Sequence, residues 1–421
     1  MGGNAATASI VQKAKEKGIF CIVVDKNPYA KAKKYADKTY DVDGTDYLSI
    51  VSIAKKEKVD GILLGALESL METYLQVCEI MGMHCYLTRD LYNIYSNKML
   101  FKSTCKKFGV PVIEGGLYNN SSIGTLKNAN YPLIVKPVDS SGSKGISICP
   151  SFEELNNCVT KALSFSKSND VIVEQYLTGQ EIVAYYAIQE GVASFLGMCD
   201  RYTNHERSET APLPTAYIFP SAHTGKYILH EDMQVKQLLE GTGIKNGVMF
   251  LQGFVDEKTG QIRYYESGYR LNGAQEHHIM SATCGIDAKE MMINHSLFGI
   301  MTDETISKKA DPFLNGHVGC KLSVLAKSGL IFKIKGMEHI LKMKDVVYVN
   351  PSYDEGDEIK DTGTLDQIVC RFFIVSDTFS NLKNDINEIY TFFDIISENG
   401  QSLLMKQFDT KAIDNYMKVE K

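Results

Sequence analysis

The stretch Ile134-Val-Lys-Pro-Val-Asp-Ser-Ser-Gly-Ser-Lys-Gly145 puts a lysine at the end of an apolar strand, then a small-residue loop closing on Ser143, Lys144 and Gly145. Glycine and serine let backbone N–H groups approach an anion without interference from Cβ. Lys136 and Lys144 add positive charge from the strand and the loop. The segment reads as a phosphate cradle. A Gly/Ser loop by itself is more often a surface turn, so the weight of this one depends on the segments downstream of it in the chain.

Residues 171–181, Val-Ile-Val-Glu-Gln-Tyr-Leu-Thr-Gly-Gln-Glu, read as an apolar strand and a polar turn, with a second strand at 182–188. Glu174 and the main chain around Tyr176 and Leu177 suit an adenine edge, and Glu181 suits ribose hydroxyls. The rival reading, favoured for the turn alone, is a hairpin with exposed acids. Residues 248–255 form another apolar strand, 256–260 a hairpin turn, and 262–266 return antiparallel, so that Glu266 opens Glu-Ser-Gly-Tyr-Arg270.

A chain of 421 residues with 44% apolar content exceeds one hydrophobic core and predicts two to four domains. Its net charge of −6 is mild, and no basic block or aromatic-interleaved basic stripe occurs, which argues against nucleic acid as a partner. The ten cysteines include no Cys-x-x-Cys pair and read as reduced thiols of a cytoplasmic protein. No apolar run approaches the roughly 20 residues that span a bilayer, so no membrane partner is expected.

The chain divides into three consecutive parts. In residues 1–97, helical patterns at 10–17 and 47–56 alternate with apolar strands at 19–25 and 61–65, which predicts a small parallel α/β unit. A dinucleotide-binding oxidoreductase is the weaker reading of this unit, because the Gly-x-Gly-x-x-Gly spacing is absent. Residues 98–306 hold the nucleotide-directed segments. Residues 307–421 are β-rich, with strands at 330–334, 345–349 and 370–375 before a helix at 381–397.

The order of these motifs resembles the ATP-grasp superfamily, and more closely its carboxylate–amine ligase branch of biotin-carboxylase-like proteins and bacterial L-amino acid ligases. The resemblance rests on Asn97-Lys98 opening a helix that ends in Phe108-Gly-Val-Pro111, on Lys136 and its loop, on the 174–181 segment and on the 266–270 strand end. It covers nearly the whole chain. It implies an α/β and α+β architecture, an ATP-grasp fold with an N-terminal parallel α/β pre-ATP-grasp domain (1–97), the ATP-grasp domain (98–306) and a C-terminal biotin-carboxylase-like β-rich domain (307–421). Such ligases carry a strand before the Met1-Gly-Gly-Asn-Ala5 turn, so a first strand is expected to be missing.

By the same resemblance, ATP and Mg2+ are the expected cofactors. Lys98 and Lys136 would hold phosphates, with Ser143 and Lys144 in the loop over them. Glu174, Tyr176 and Leu177 would read adenine, Glu181 would bind ribose, Glu266 would ligate magnesium and Arg270 would stabilise an acyl phosphate. Two positions depart from the family pattern. Gln252 stands where a second acid is usual, and Gly268 replaces the asparagine of Glu-x-Asn-x-Arg. Either Gln252 coordinates through its amide oxygen and water completes the shell, or metal binding depends largely on ATP itself.

The expected function is therefore an ATP-dependent ligase that activates a carboxylate as an acyl phosphate and joins it to an amine. Its partners would be small-molecule carboxylates and amines, amino acids first among them, with a homodimer as the oligomeric expectation. The alternative is a non-catalytic nucleotide-binding regulatory or scaffold module. Three further features stay open: residues 198–214 as a long polar loop with Arg201 facing either ligand or solvent, His277-His278 as pocket lining or helix-opening packing, and Met343-Lys344 as a coincidental match to a biotin-attachment site.

Overall fold

The computed structural model describes residues 1–138, 145–166, 168–204 and 212–418. Ser143 and Lys144 of the expected phosphate loop lie outside the described residues.

Local capping sets the front of the chain. The Asn4 side chain accepts from the Thr7 N–H to start helix Ala5–Glu16, and Asp46 accepts from Ser49 N–H to start helix Tyr47–Glu57. Between them β1 (Ile22–Val24) and β2 (Lys38–Tyr40) pair in parallel. Residues 61–65, expected as a strand, join no ladder. Met1 alone lies between them and β1: its ammonium donates to Leu63 O, its carbonyl accepts from Gly65 N–H, and the Gly2 N–H donates to Val24 O. A ladder needs several successive backbone pairs.

β3 (Gly115–Tyr118), β4 (Leu133–Pro137), β5 (Ser147–Cys149) and β6 (Val171–Gln175) form an antiparallel sheet in the order β3-β6-β4-β5. Helix Leu155–Leu163 packs on it through Leu155, Val159 and Ala162, against Leu133, Val135, Val171 and Val173. The larger sheet begins with β7 (Glu181–Gln189), β8 (Val192–Asn204), β9 (Leu213–Phe219), β10 (Gly247–Val255), β11 (Ile262–Gly268) and β12 (Val318–Leu325). The short strands β13 (Gly329–Leu330) and β14 (Lys333–Lys335) come next, then β15 (Val346–Pro351), β16 (Glu358–Ile359), β17 (Ile368–Ser376) and β18 (Asp394–Ile396). The large sheet runs β11-β10-β7-β8-β9-β12-β17-β15, antiparallel throughout.

Several local expectations are corrected by this topology. Residues 171–188 are not a hairpin. β6 already has β3 and β4 on its two edges, and β7 has β8 and β10, so residues 176–180 cross from one sheet to the other. Residues 198–204 are strand, not loop, because their polar side chains find buried partners. The Asp200 carboxylate accepts from Ser221 Oγ, the Ala222 N–H and the Tyr416 hydroxyl. The helix expected at 381–397 covers only Phe379–Phe392, and residues 394–396, which hold two isoleucines, pair with β14 instead. The large sheet also runs past residue 306: β9 pairs with β12, and Ala216 and Ile218 share a core with Cys320, Leu322, Phe372, Leu382 and Ile386.

Candidate active site

The two sheets and the starts of helices Ala5–Glu16 and Lys98–Lys107 help wall a cleft of about 1350 Å³. Lys98, Lys136, Glu174, Tyr176, Leu177, Glu181, Gln252, Glu266 and Arg270 all line it. These residues span more than 170 positions of sequence, and folding gathers them on one surface.

Lys98 is placed by a cap. The Asn97 side chain accepts from the N–H groups of Met99 and Leu100, so helix Lys98–Lys107 starts with Lys98 at the cleft. Burial lowers the pKa of that ammonium, and Glu266 opposes the shift.

Lys136 on β4 and Glu174 on β6 sit diagonally across paired strands, since Lys136 faces Ile172 and Ile134 faces Glu174. The Lys136 ammonium donates to Glu174 Oε2 at 2.7 Å, and Lys102 donates to Oε1 at 2.5 Å and to Ile113 O at 2.7 Å. Burial opposes the Glu174 charge, but the two ammonium groups hold its carboxyl below the ordinary range. Both Glu174 carboxylate oxygens are engaged by lysines, a pairing that the reading of this side chain as an adenine contact did not include. Lys102 was missed by sequence reasoning. The available signal was its spacing, four residues after Lys98 and hence on the same helix face.

Glu181 accepts from the Arg201 guanidinium and from the Tyr265 hydroxyl. Arg201 therefore faces the cleft from β8, in register with Glu181 on β7.

Gln252 on β10 and Glu266 on β11 stand directly opposite each other, next to a bulge at Gln252/Gly253. Burial pushes the Glu266 carboxyl above its ordinary pKa. Lys98 opposes this and Glu68 adds to it. Among the described residues no group of three or more His, Cys, Asp or Glu side chains is arranged to hold a metal ion. One carboxylate and one amide oxygen do fit Mg2+, which keeps several waters and takes phosphate oxygens as ligands.

Gly268 has a steric cause. It faces Phe250 across the β10–β11 pair, and a Cβ there would lie 2.1 Å from Phe250 Cζ. The same ring lies 5.3 Å from the Arg270 guanidinium carbon. Arg270 also donates to Glu68 Oε2 at 3.2 Å and to Leu271 O at 3.1 Å. An aromatic ring occupies the space an asparagine would need. Gly268→Asn is expected to destabilise the fold by about 1–3 kcal/mol through overpacking, and Gly268→Asn with Phe250→Ala to recover part of that loss. Denaturant midpoints of the single and double variants check this; an unperturbed single variant contradicts it.

His277 and His278 do open helix His277–Cys284, but they are absent from the cleft lining. Burial lowers both imidazole pKa values, that of His277 to about 3, and the His278 ring stacks on Tyr348 at 3.7 Å. They are core groups between the helix and β15.

The family model described as D-ala D-ala ligase C-terminus matches residues 105–191. A formate-dependent phosphoribosylglycinamide formyltransferase of Sulfurisphaera tokodaii is 30% identical over 182 residues, 42% of this chain and 46% of the relative. The N-terminal section of a carbamoyl phosphate synthase large chain from Methanopyrus kandleri is 26% identical over 285 residues, 61% of this chain and 47% of that protein. The chain thus spans less than half the length of these curated relatives. Among solved structures, an L-amino acid ligase from Bacillus licheniformis superposes with a TM-score of 0.79 at 17% identity, covering 94% of this chain and 97% of that one. The biotin carboxylase domain of Hydrogenobacter thermophilus 2-oxoglutarate carboxylase, solved with MgADP and bicarbonate, superposes at 0.78 with 17% identity, covering 98% of this chain and 92% of that one. The chain is thus similar to ATP-grasp proteins, in sequence over residues 105–191 and in fold over nearly its whole length, with carboxylate–amine ligases among the proteins it resembles.

Proposed function

We propose that the protein is an ATP- and Mg2+-dependent ligase that joins a carboxylate to an amine. The observation that carries the reading is the convergence of Lys98, Lys136, Glu181, Gln252, Glu266 and Arg270 on one cleft. The carboxylate oxygen attacks the terminal phosphorus of ATP, giving an acyl phosphate and ADP. The amine then attacks the acyl carbon, phosphate leaves, and the amine loses a proton. A free carboxylate has no adequate leaving group in water, which is why the first step is needed.

Lys98 and Lys136 bind the phosphates, the latter held in place by Glu174. Glu181 meets the ribose, and the main chain at Tyr176 and Leu177 meets the adenine. Glu266 and Gln252 hold Mg2+, which when bound neutralises phosphate charge. Arg270 offers a planar donor to the developing acyl phosphate once a ligand displaces Glu68. We assign residues 1–97 and 307–421 to the substrate side of the cleft and 98–306 to the nucleotide. Amino acids are the first substrates to try, and a cytoplasmic homodimer is the proposed form. No helix among the described residues is long and apolar enough to cross a membrane.

MgATP is expected to raise the melting temperature, since a ligand that binds only the native state adds about 2.7 kcal/mol at a hundredfold excess over its Kd. A thermal melt without any shift at millimolar MgATP would sink nucleotide binding. Phosphate release with pooled carboxylate–amine pairs, followed by mass analysis of the condensed product, tests the ligase itself. Nucleotide binding without release for any pair would favour a regulatory module.

A further inference from the structure

The cleft continues along the large sheet, beyond Arg201, onto groups that the chemistry above does not use. Lys321, Tyr217, Arg201 and Glu181 stand opposite one another across β12, β9, β8 and β7, so they form one row on one face. Lys321 is three strands from Glu181, about 14 Å along the sheet at the usual strand spacing. A second row on that face joins Ser323, Arg371 and Asn350 across β12, β17 and β15. Lys321 and Arg371 both line the cleft.

This end of the cleft holds more buried cation than anion. The Lys321 side chain is 1% exposed, and its ammonium lies 3.6 Å from the Tyr217 ring centroid and 3.5 Å from Oε1 of the fully buried Glu276. Arg371 donates to Ser352 Oγ at 3.4 Å, while its Nε has no hydrogen-bond partner. Arg201 is already engaged by Glu181. Among the described residues, Ser323 Oγ, Asn350 Nδ2 and both Glu276 oxygens are buried and make no hydrogen bond. Asp366 also lies on the wall, but it is exposed and accepts from Thr364 Oγ1 at 3.2 Å. Two cationic side chains thus face one buried carboxylate, beside unpaired donors. Folded interiors leave few such donors unpaired, and an oxyanion supplies a second negative charge and acceptors for Arg371, Asn350 and Ser323. Burial lowers the Lys321 pKa, and Glu276 opposes the shift.

We infer that Lys321 and Arg371 bind an oxyanion, either a carboxylate or a phosphate monoester, carried by a substrate at a point separate from the carboxylate that is activated. The word substrate rests on the ligase reading; the anion affinity itself does not.

The test is calorimetric titration of the full chain, with MgADP present to fill the nucleotide end, using methyl phosphate, succinate and, at matched ionic strength, chloride. Wild type is expected to bind one oxyanion clearly more tightly than chloride, and the preferred arm identifies a phosphate ester or a diacid. Lys321→Met and Arg371→Met are each expected to weaken that binding at least tenfold with MgADP affinity unchanged, and Arg371→Lys to fall between. A wild type that prefers neither oxyanion over chloride overturns the inference, as do variants that bind like wild type. If one variant fails to fold, the wild-type titration and the other variant still decide. Oxyanion binding that the variants lose, in a protein that takes no MgADP, would leave this site standing and remove the ligase reading; MgADP binding without oxyanion binding would do the reverse.

Discussion

Glu266→Gln is expected to abolish ADP release while leaving the fold intact. The carboxylate is buried in the cleft opposite Gln252, with Lys98, Lys136 and Arg270 as the cations around it. Glutamine keeps the shape and a carbonyl oxygen but removes the only acid in the Gln252–Glu266 pair. A metal held there stabilises transferring phosphate by several kcal/mol, so its loss corresponds to a rate reduction of more than about a thousandfold. Steady-state phosphate release, beside a melting curve to show that the variant is folded, measures this. Full activity in a folded Glu266→Gln protein would place the chemistry elsewhere.

The largest effect on stability is expected at Glu174. Its carboxylate is 3% exposed and bridges the ammonium groups of Lys102 and Lys136. Removing it in Glu174→Ala leaves two buried cations facing each other without a counter-charge. Breaking a buried ion pair from one side costs about 3–5 kcal/mol. Lys102→Met is milder, because Glu174 keeps its pair with Lys136, and its expected signature is a raised KM for ATP as Glu174, no longer anchored by Lys102, holds Lys136 less firmly. Equilibrium unfolding in urea separates the two variants; equal midpoints for wild type and Glu174→Ala would refute the bridging role.

The same pair sets an acid limit. The folded-state Glu174 carboxyl lies below its ordinary value of 4.5. The unfolded chain therefore takes up the proton first as pH falls. The stability this group supplies is present above about pH 4.5 and is lost as pH drops through the folded value. A Glu174→Gln variant is expected to show a flatter decline in melting temperature below that pH.

The sequence by itself determined the local elements whose causes are local. Asn97 before Lys98 announced a capped helix, and the β10–β11 turn at 256–260 announced a hairpin that sets Gln252 against Glu266. The ATP-grasp architecture was legible too, because its motifs occur in a fixed order along the chain. What only the tertiary structure decided is who partners whom. Glu174 looked like a nucleotide contact, yet the fold brings Lys102 and Lys136 to its two oxygens. His277 and His278 looked like candidate pocket groups, yet His278 stacks on Tyr348, His277 packs on His278, and neither lines the cleft. Gly268 looked like a lost ligand, whereas the Phe250 ring shows that a larger residue has no room. Residues 61–65 have the composition of a strand but pair only with Met1, too little backbone for a ladder. The physical reason is common to these cases: the environment of a side chain, its charge partners, burial and free volume, is supplied by segments remote in sequence. Lys321 and Arg371 show this most plainly, since each is an ordinary basic residue on its own strand until sheet register sets them on adjacent rows of one cleft wall.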